Sequence, residues 1–226
     1  MSGSLSFRAT ALVVIAYALA MAYVESAVVV YLQRALGTEV GVSFPLRTSA
    51  EAGDLIAIEA GRELATLVMI AAVGSLAGRG WTERLGWAAV VFGAWDIGYY
   101  AWLWVFSGWP PSLATLDILF LLPVPWVGPV WSPMAVSAAL VGFGLAAAWR
   151  SRSGRPLVVA GWHRLAGLAG GFLVILSYTL DGPRLMTGGL PGPYPWPVFV
   201  AGLAVALAAA VHALGMTGRV ARDSGR

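Results

Sequence analysis

Residues 9–33 read ATALVVIAYALAMAYVESAVVVYLQ, twenty-five positions with one ionisable side chain, Glu25. A helix needs about 20 mostly apolar residues to cross a bilayer, and this run supplies them without a break. Five further stretches meet the same criterion: 54–78, 85–107, 128–149, 162–180 and 196–216. The expectation is an all-α, polytopic transmembrane bundle of about six spans, one domain over 1–226. Arg8, the apolar run and Ala18-Leu19-Ala20 imitate a secretory signal. Because the run continues to Leu32, it reads as a retained helix.

Composition narrows the class in the same direction. The 226 residues are 59% hydrophobic and 11% charged, with mean hydropathy +0.78. Soluble domains carry roughly 25% charged residues, so this chain lacks the means to cover itself for water. Disorder, fibrous repeats and nucleic-acid binding are excluded with it. The net charge is only +3, the chain has no Cys and no Lys, and Gln33 is its one side-chain amide. Thiolate, disulfide, Schiff-base and P-loop lysine chemistry are therefore out. What remains is carboxylates, Arg, two His, hydroxyls and indoles.

Segment 112–126 differs from the spans. Its apolar core, 118–122, is short and runs into Pro123, Pro125, Pro129 and Pro133. It reads as a Pro-rich re-entrant or interfacial piece on the outer side. With six spans, ten Arg fall on one side (8, 79, 84, 150, 152, 155, 164, 219, 222 and 226) and three (34, 47 and 184) on the other. The positive-inside rule then places both termini in the cytoplasm.

Charges inside spans are costly, by roughly 2.5–3.5 kcal/mol on insertion scales. This chain holds Glu25, Glu59, Arg62, Glu63 and Asp96 within spans, and Asp117 in the re-entrant candidate. At ~1.5 Å rise per residue, the four span carboxylates fall roughly 7–17 Å below the outer boundary. Glu59, Arg62, Glu63 and Thr66 share one helix face, as do Gly93, Asp96, Tyr99 and Tyr100. Consecutive spans tend to be neighbours, so these faces are expected to close one pocket. Four carboxylates against one Arg should be partly protonated or balanced by a cation. Trp95 and Trp102 lie at that depth, where they serve an interfacial belt or a ligand wall.

Other patterns are weaker. Gly142-x-Gly144-x-x-Ala147 mimics a dinucleotide fingerprint but lies inside a span with no preceding strand. Gly74-x-x-x-Gly78 signals close helix contact. His163 and His212 map to the side away from the carboxylates and read as interfacial side chains.

The stretches 23–32, 59–66, 95–100 and 117–126, as YVESAVVVYL, EAGRELAT, WDIGYY and DILFLLPVPW, resemble an uncharacterised group of bacterial polytopic inner-membrane proteins with no assigned activity. The resemblance covers about 12–141. It implies a multi-span fold and no reaction, cofactor or partner.

Three functions fit the residues. The first is a site binding or translocating a cation, proton or small cationic solute, using Glu25, Glu59, Arg62, Glu63, Asp96, Tyr99, Tyr100 and Asp117. No cofactor is expected, and a metal there would be an oxygen-ligated divalent cation. The second is an intramembrane enzyme on a lipid-soluble substrate, with Glu63 as base and Asp96 as acid. The third is an accessory subunit of a larger membrane complex. Expected partners are the lipid bilayer, and membrane proteins or further copies of the chain.

Overall fold

In hydrocarbon every backbone N–H needs a partner within the protein, which makes uninterrupted apolar runs helical. The structure is a computed structural model describing residues 5–35, 37–38, 40–41, 50–155, 157 and 159–223, without side chains for 50–55 and 216–223. In chain order it comprises α1 (Phe7–Ala35), α2 (Ala50–Ala77), α3 (Trp81–Ser107), β1 (Leu116–Phe120) and β2 (Trp126–Pro129). There follow α4 (Trp131–Arg152), α5 (Gly161–Thr179), the short α6 (Gly182–Met186) and α7 (Trp196–Asp223).

Among the described residues, five helical segments are long and apolar enough to cross a membrane: α1, α3, α4, 161–186 and 196–215. The chain is thus all-helical apart from one hairpin, with the architecture of a polytopic membrane protein. The second stretch expected to span, 54–78, lies in α2; at 28 residues this helix has the length but is not among the five. Its described residues instead divide by face. Glu63, Thr66, Ile70, Gly74 and Gly78 are buried, whereas Leu64, Val68 and Leu76 are 57%, 60% and 87% exposed.

Segment 112–126 contains no helix. β1 and β2 pair antiparallel, Leu116 opposite Pro129 and Ile118 opposite Val127, with an irregularity between Ile118 and Phe120. The proline-stripped turn 121–125 joins them. The fourth helix accordingly starts at Trp131 rather than 128, because 126–129 is spent on the second strand.

α3 is the hub, with α1, α2 and α4 packed on it, while α5 pairs with α7. β2 against α5 and α4 against α7 join the two groups. Small residues set these approaches, as expected where lipid is as apolar as any side chain. A Cβ on Gly144 would sit 2.4 Å from the Gly86 carbonyl oxygen, and one on Gly93 would sit 2.3 Å from that of Ser137. Gly170 and Gly202 do the same for α5 and α7. Gly74 and Gly78 lie against the first turns of α3, near Ala88 and Arg84. Val14, Ala18, Met21, Ala22, Trp87, Val90, Val91 and Trp95 form the core between α1 and α3.

The start of α3 carries a polar knot. Arg152 pairs with Glu83, and its other N–H groups reach the Leu5 carbonyl (3.2 Å), Thr10 Oγ1 (3.0 Å) and the Ala77 carbonyl (3.2 Å). Glu83 also accepts from Trp87 Nε1 (3.2 Å) and the Arg79 N–H (3.1 Å). One guanidinium thereby fastens the ends of α1, α2, α3 and α4.

Overpacking a close crossing costs about 1–3 kcal/mol. Gly144→Val is therefore expected to lower the melting temperature in detergent. Gly142→Ala, where an added Cβ meets nothing within 4 Å, is expected to leave it unchanged or raised.

Candidate functional site

α1, α2, α3 and the hairpin enclose a cavity of about 220 Å³ at the end of α3 away from the Arg152 knot. Its wall includes Glu25, Glu59, Arg62, Glu63, Asp96, Tyr99, Tyr100 and Asp117, all eight residues singled out from the sequence. Among the described lining residues four are acidic residues of helices, a fifth acid is on β1, and the basic residue is Arg62. No residue of α4, α5 or α7 lines it.

The helical period brings the charges inward. On α2, Glu59 and Arg62 are one turn apart, and Arg62 Nε donates to both carboxylate oxygens of Glu59 at 3.0 Å. Arg62 Nη2 also pairs with Glu59, while Nη1 reaches Glu25 Oε1 on α1 at 2.5 Å. The other Glu25 oxygen accepts Trp95 Nε1–H at 2.8 Å. A single guanidinium thus bridges two helices and neutralises one carboxylate, leaving the second in formal excess. Bidentate recognition of this kind suits arginine's planar fork rather than an ammonium.

The remaining acids have neutral donors in the bonds that define them. Asp96 accepts the Ser137 hydroxyl of α4 at 2.8 Å. Asp117 accepts the Tyr100 hydroxyl at 3.1 Å. Glu63 accepts two backbone N–H groups of the hairpin turn, Leu121 at 2.8 Å and Leu122 at 3.3 Å. Tyr99 offers its carbonyl to Ser26 at 3.0 Å, tying α1 to α3. Aromatic rings complete the wall, with Trp95, Tyr99, Tyr100 and Trp109 all facing it. Trp95 is buried and bonded to Glu25, so it belongs to the interior and not to an interfacial belt. Trp102 donates to the Leu19 carbonyl at 3.2 Å beside α1 and does not line the cavity.

Sequence reasoning missed several participants. Ser137 gave no signal, because a lone Ser in an apolar span is common. Leu121 and Leu122 act through their backbone, which no residue type announces. Gln33 reaches back to the Gly41 N–H at 3.0 Å, and Gly41 lies against the Trp109 indole where any Cβ would collide with it. Arg152 read only as a topology charge and Glu83 was not singled out, yet the two form an ion pair with further bonds to Trp87, Arg79, Thr10 and Ala77.

The histidines depart from expectation. His163 is buried, and its Nε2 lies 2.9 Å from His212 Nδ1. The Ala160 N–H points at His163 Nδ1 at 3.2 Å, so the neutral His163 ring carries its hydrogen on Nε2 and donates to His212. Trp162 stacks on His163 with ring centroids 3.7 Å apart. The pair fastens α5 to α7 and stands apart from the carboxylates.

Among the described residues, no three His, Cys, Asp or Glu side chains are placed to hold one metal ion. The acids are spread along the cavity wall instead. No family model, curated protein or solved structure matches this chain.

Removing one partner of a buried ion pair strands the other charge, at a cost of about 3 kcal/mol or more. Arg62→Gln is expected to lower thermal stability in detergent, and Glu25→Gln/Arg62→Gln to recover part of the loss, because Glu59 still lacks its guanidinium. Equal stability of the single and double variants would show that Arg62 and Glu25 do not meet.

Proposed function

We propose that this chain is a six-span integral protein of a bacterial cytoplasmic membrane that binds, and passes across, a proton or small organic cation. α2 counts as the sixth span. Its support is the division of faces, with charges and small residues buried and leucines and valines outward, the inverse of a soluble helix. The ten-to-three Arg asymmetry supports cytoplasmic termini and, with them, a cavity in the outer half of the bilayer. The hairpin is then a re-entrant roof, allowed at depth because it lines a cavity.

The observation that carries the function is the charge balance of one chamber. Among the described residues, Glu25, Glu59, Glu63 and Asp96 face one guanidinium, that of Arg62, a formal −3 that low dielectric does not sustain. A cation or bound protons resolve it. The spread of the acids and the aromatic wall suit an ammonium with an apolar body, or protons, better than a compact metal ion. The polar knot at Arg152 fills the opposite end of the α1–α4 group, which supports access to the chamber from the outer side.

A packing role within a larger complex draws support from a different observation: each of the five carboxylates has a protein partner. It leaves the cavity without a purpose. An acid–base enzyme draws less, since Glu63 is engaged by the hairpin and Asp96 by Ser137.

Benzylammonium titrated into the protein in lipid nanodiscs, read by tryptophan emission, tests the proposal because Trp95 and Trp109 line the chamber. Saturable binding is expected, absent for benzyl alcohol. Glu25→Gln and Asp96→Asn are each expected to weaken it by about tenfold or more. Equal affinity in these variants, or no binding and no proton uptake at all, would overturn the cation reading.

A further inference from the structure

The roof of the chamber is fastened unequally. At its base, β2 runs directly into α4, the Val130 N–H bonds the Thr115 carbonyl at 3.0 Å, and the Trp131 N–H bonds that of Leu113 at 2.9 Å. Buried Val127, Gly128, Pro129 and Val130 pack this end firmly. The turn 121–125 packs through Val124 and the buried Pro125 against Gly182, but among the described residues no backbone–backbone hydrogen bond of this kind holds it. Pro123 and Pro125 have no N–H, leaving Leu121, Leu122 and Val124 as its donors. Two of those three donate to the two oxygens of one side chain, Glu63 of α2. α2 otherwise packs on α3. Ile118, Leu119 and Leu121 of the same hairpin line the cavity, so whatever moves the turn uncovers the chamber.

We infer that hairpin 116–129 is a lid over the carboxylate chamber and that Glu63 is its latch, released when its carboxylate takes up a proton. This inference rests on reading the cavity as the ligand chamber. An ionised carboxylate accepts both N–H groups at once. A protonated one turns an oxygen into an O–H donor, which faces an N–H and loses that bond. Bonds to charged groups are also the stronger ones. The groups around the latch are Glu59 and Arg62 on α2, Glu25 on α1, Asp96, Tyr99 and Tyr100 on α3, and Asp117 on β1. Arg62 alone among them is basic, and it is engaged by Glu25 and Glu59. Acidification therefore loosens the turn, and a rise in pH closes it. Binding energy of a cation inside the chamber acts on the same equilibrium by drawing Glu63 toward the ligand.

The absence of Cys makes the lid testable by single-thiol labelling. A Cys at Val29, on the chamber wall, is labelled with a positively charged thiosulfonate in nanodiscs. A Cys at Leu113, 55% exposed near the hairpin base, supplies the reference rate that removes the pH dependence of the thiol itself. The normalised rate at position 29 is expected to rise by about tenfold between neutral and mildly acidic pH. In Glu63→Gln it should be fast already at neutral pH and lose that dependence. Leu122→Pro, which removes one donor and leaves the carboxylate intact, should also accelerate labelling, and it serves if Glu63→Gln fails to fold. Rates that are equal in the parent and both variants, at both pH values, would overturn the lid. Benzylammonium binding measured alongside separates the two ideas. Binding with unchanged labelling sinks the lid alone; a labelling response with no binding keeps the lid and sinks the organic-cation reading.

Discussion

The guanidinium of Arg62, held between Glu25 of α1 and Glu59 of its own helix, is the contact on which the rest of this structure turns. As the sixth span proposed above, α2 would not expose a Glu-x-x-Arg-Glu face to acyl chains, since each charge there costs several kcal/mol. That face turns toward other protein: α2 packs chiefly on α3, and Arg62 reaches across to Glu25 of α1. Once α2 is oriented, Glu63 points at the hairpin and Gly74 and Gly78 fall against the beginning of α3. The chamber is the space left between helices that meet through charges at one end and through glycines at the other. That asymmetry follows from side-chain size: Gly86, Gly93 and Gly144 let backbones touch, whereas Glu25, Arg62 and Trp95 hold them apart.

The two ends of the α1–α4 group also differ in how their polar groups are satisfied. Around Arg152 a single guanidinium meets Glu83, a hydroxyl and two carbonyls, leaving little for a solvent or ligand to replace. Around Arg62 the acids outnumber the base and line an open volume. A fully satisfied network is rigid and specifies one arrangement, while an under-compensated one invites a further charge. The densest polar network thus fastens one end of the group, and the cavity proposed to take a cation lies at the other. α5 and α7, with Gly170 on Gly202 and the His163–His212 bond, form a separate buttress that contributes nothing to the chamber wall.

Much of this was legible in the chain itself. Apolar runs announced the helices, and i, i+3, i+4 spacing put Glu59, Arg62 and Glu63 on one face. The chamber's acids followed from their shared depth. Where the reading stopped, the cause was physical. Segment 112–126 offered a short apolar core among prolines, a pattern common to turns, re-entrant loops and hairpins; the pairing of 116–120 with 126–129 depends on a tertiary register that no local period encodes. The latch was invisible because its donors are backbone groups. Ser137 and the Glu83–Arg152 pair join residues 41 and 69 positions apart, and a single sequence carries no sign of such pairings. His163 and His212 were placed at the right depth but not in contact, since depth fixes height in the bundle and not azimuth.

The central claim concerns which way α2 faces. Spin labels attached one at a time along this Cys-free chain, at Glu59, Arg62, Leu64 and Val68, report that directly in a bilayer. Collision with dissolved oxygen marks lipid, and collision with a water-soluble nickel chelate marks an aqueous chamber. Labels at Glu59 and Arg62 should collide with nickel, and labels at Leu64 and Val68 with oxygen. The reverse pattern, or one that does not vary around the helix, would mean that the charges of α2 do not meet those of α1 and α3 in a common chamber.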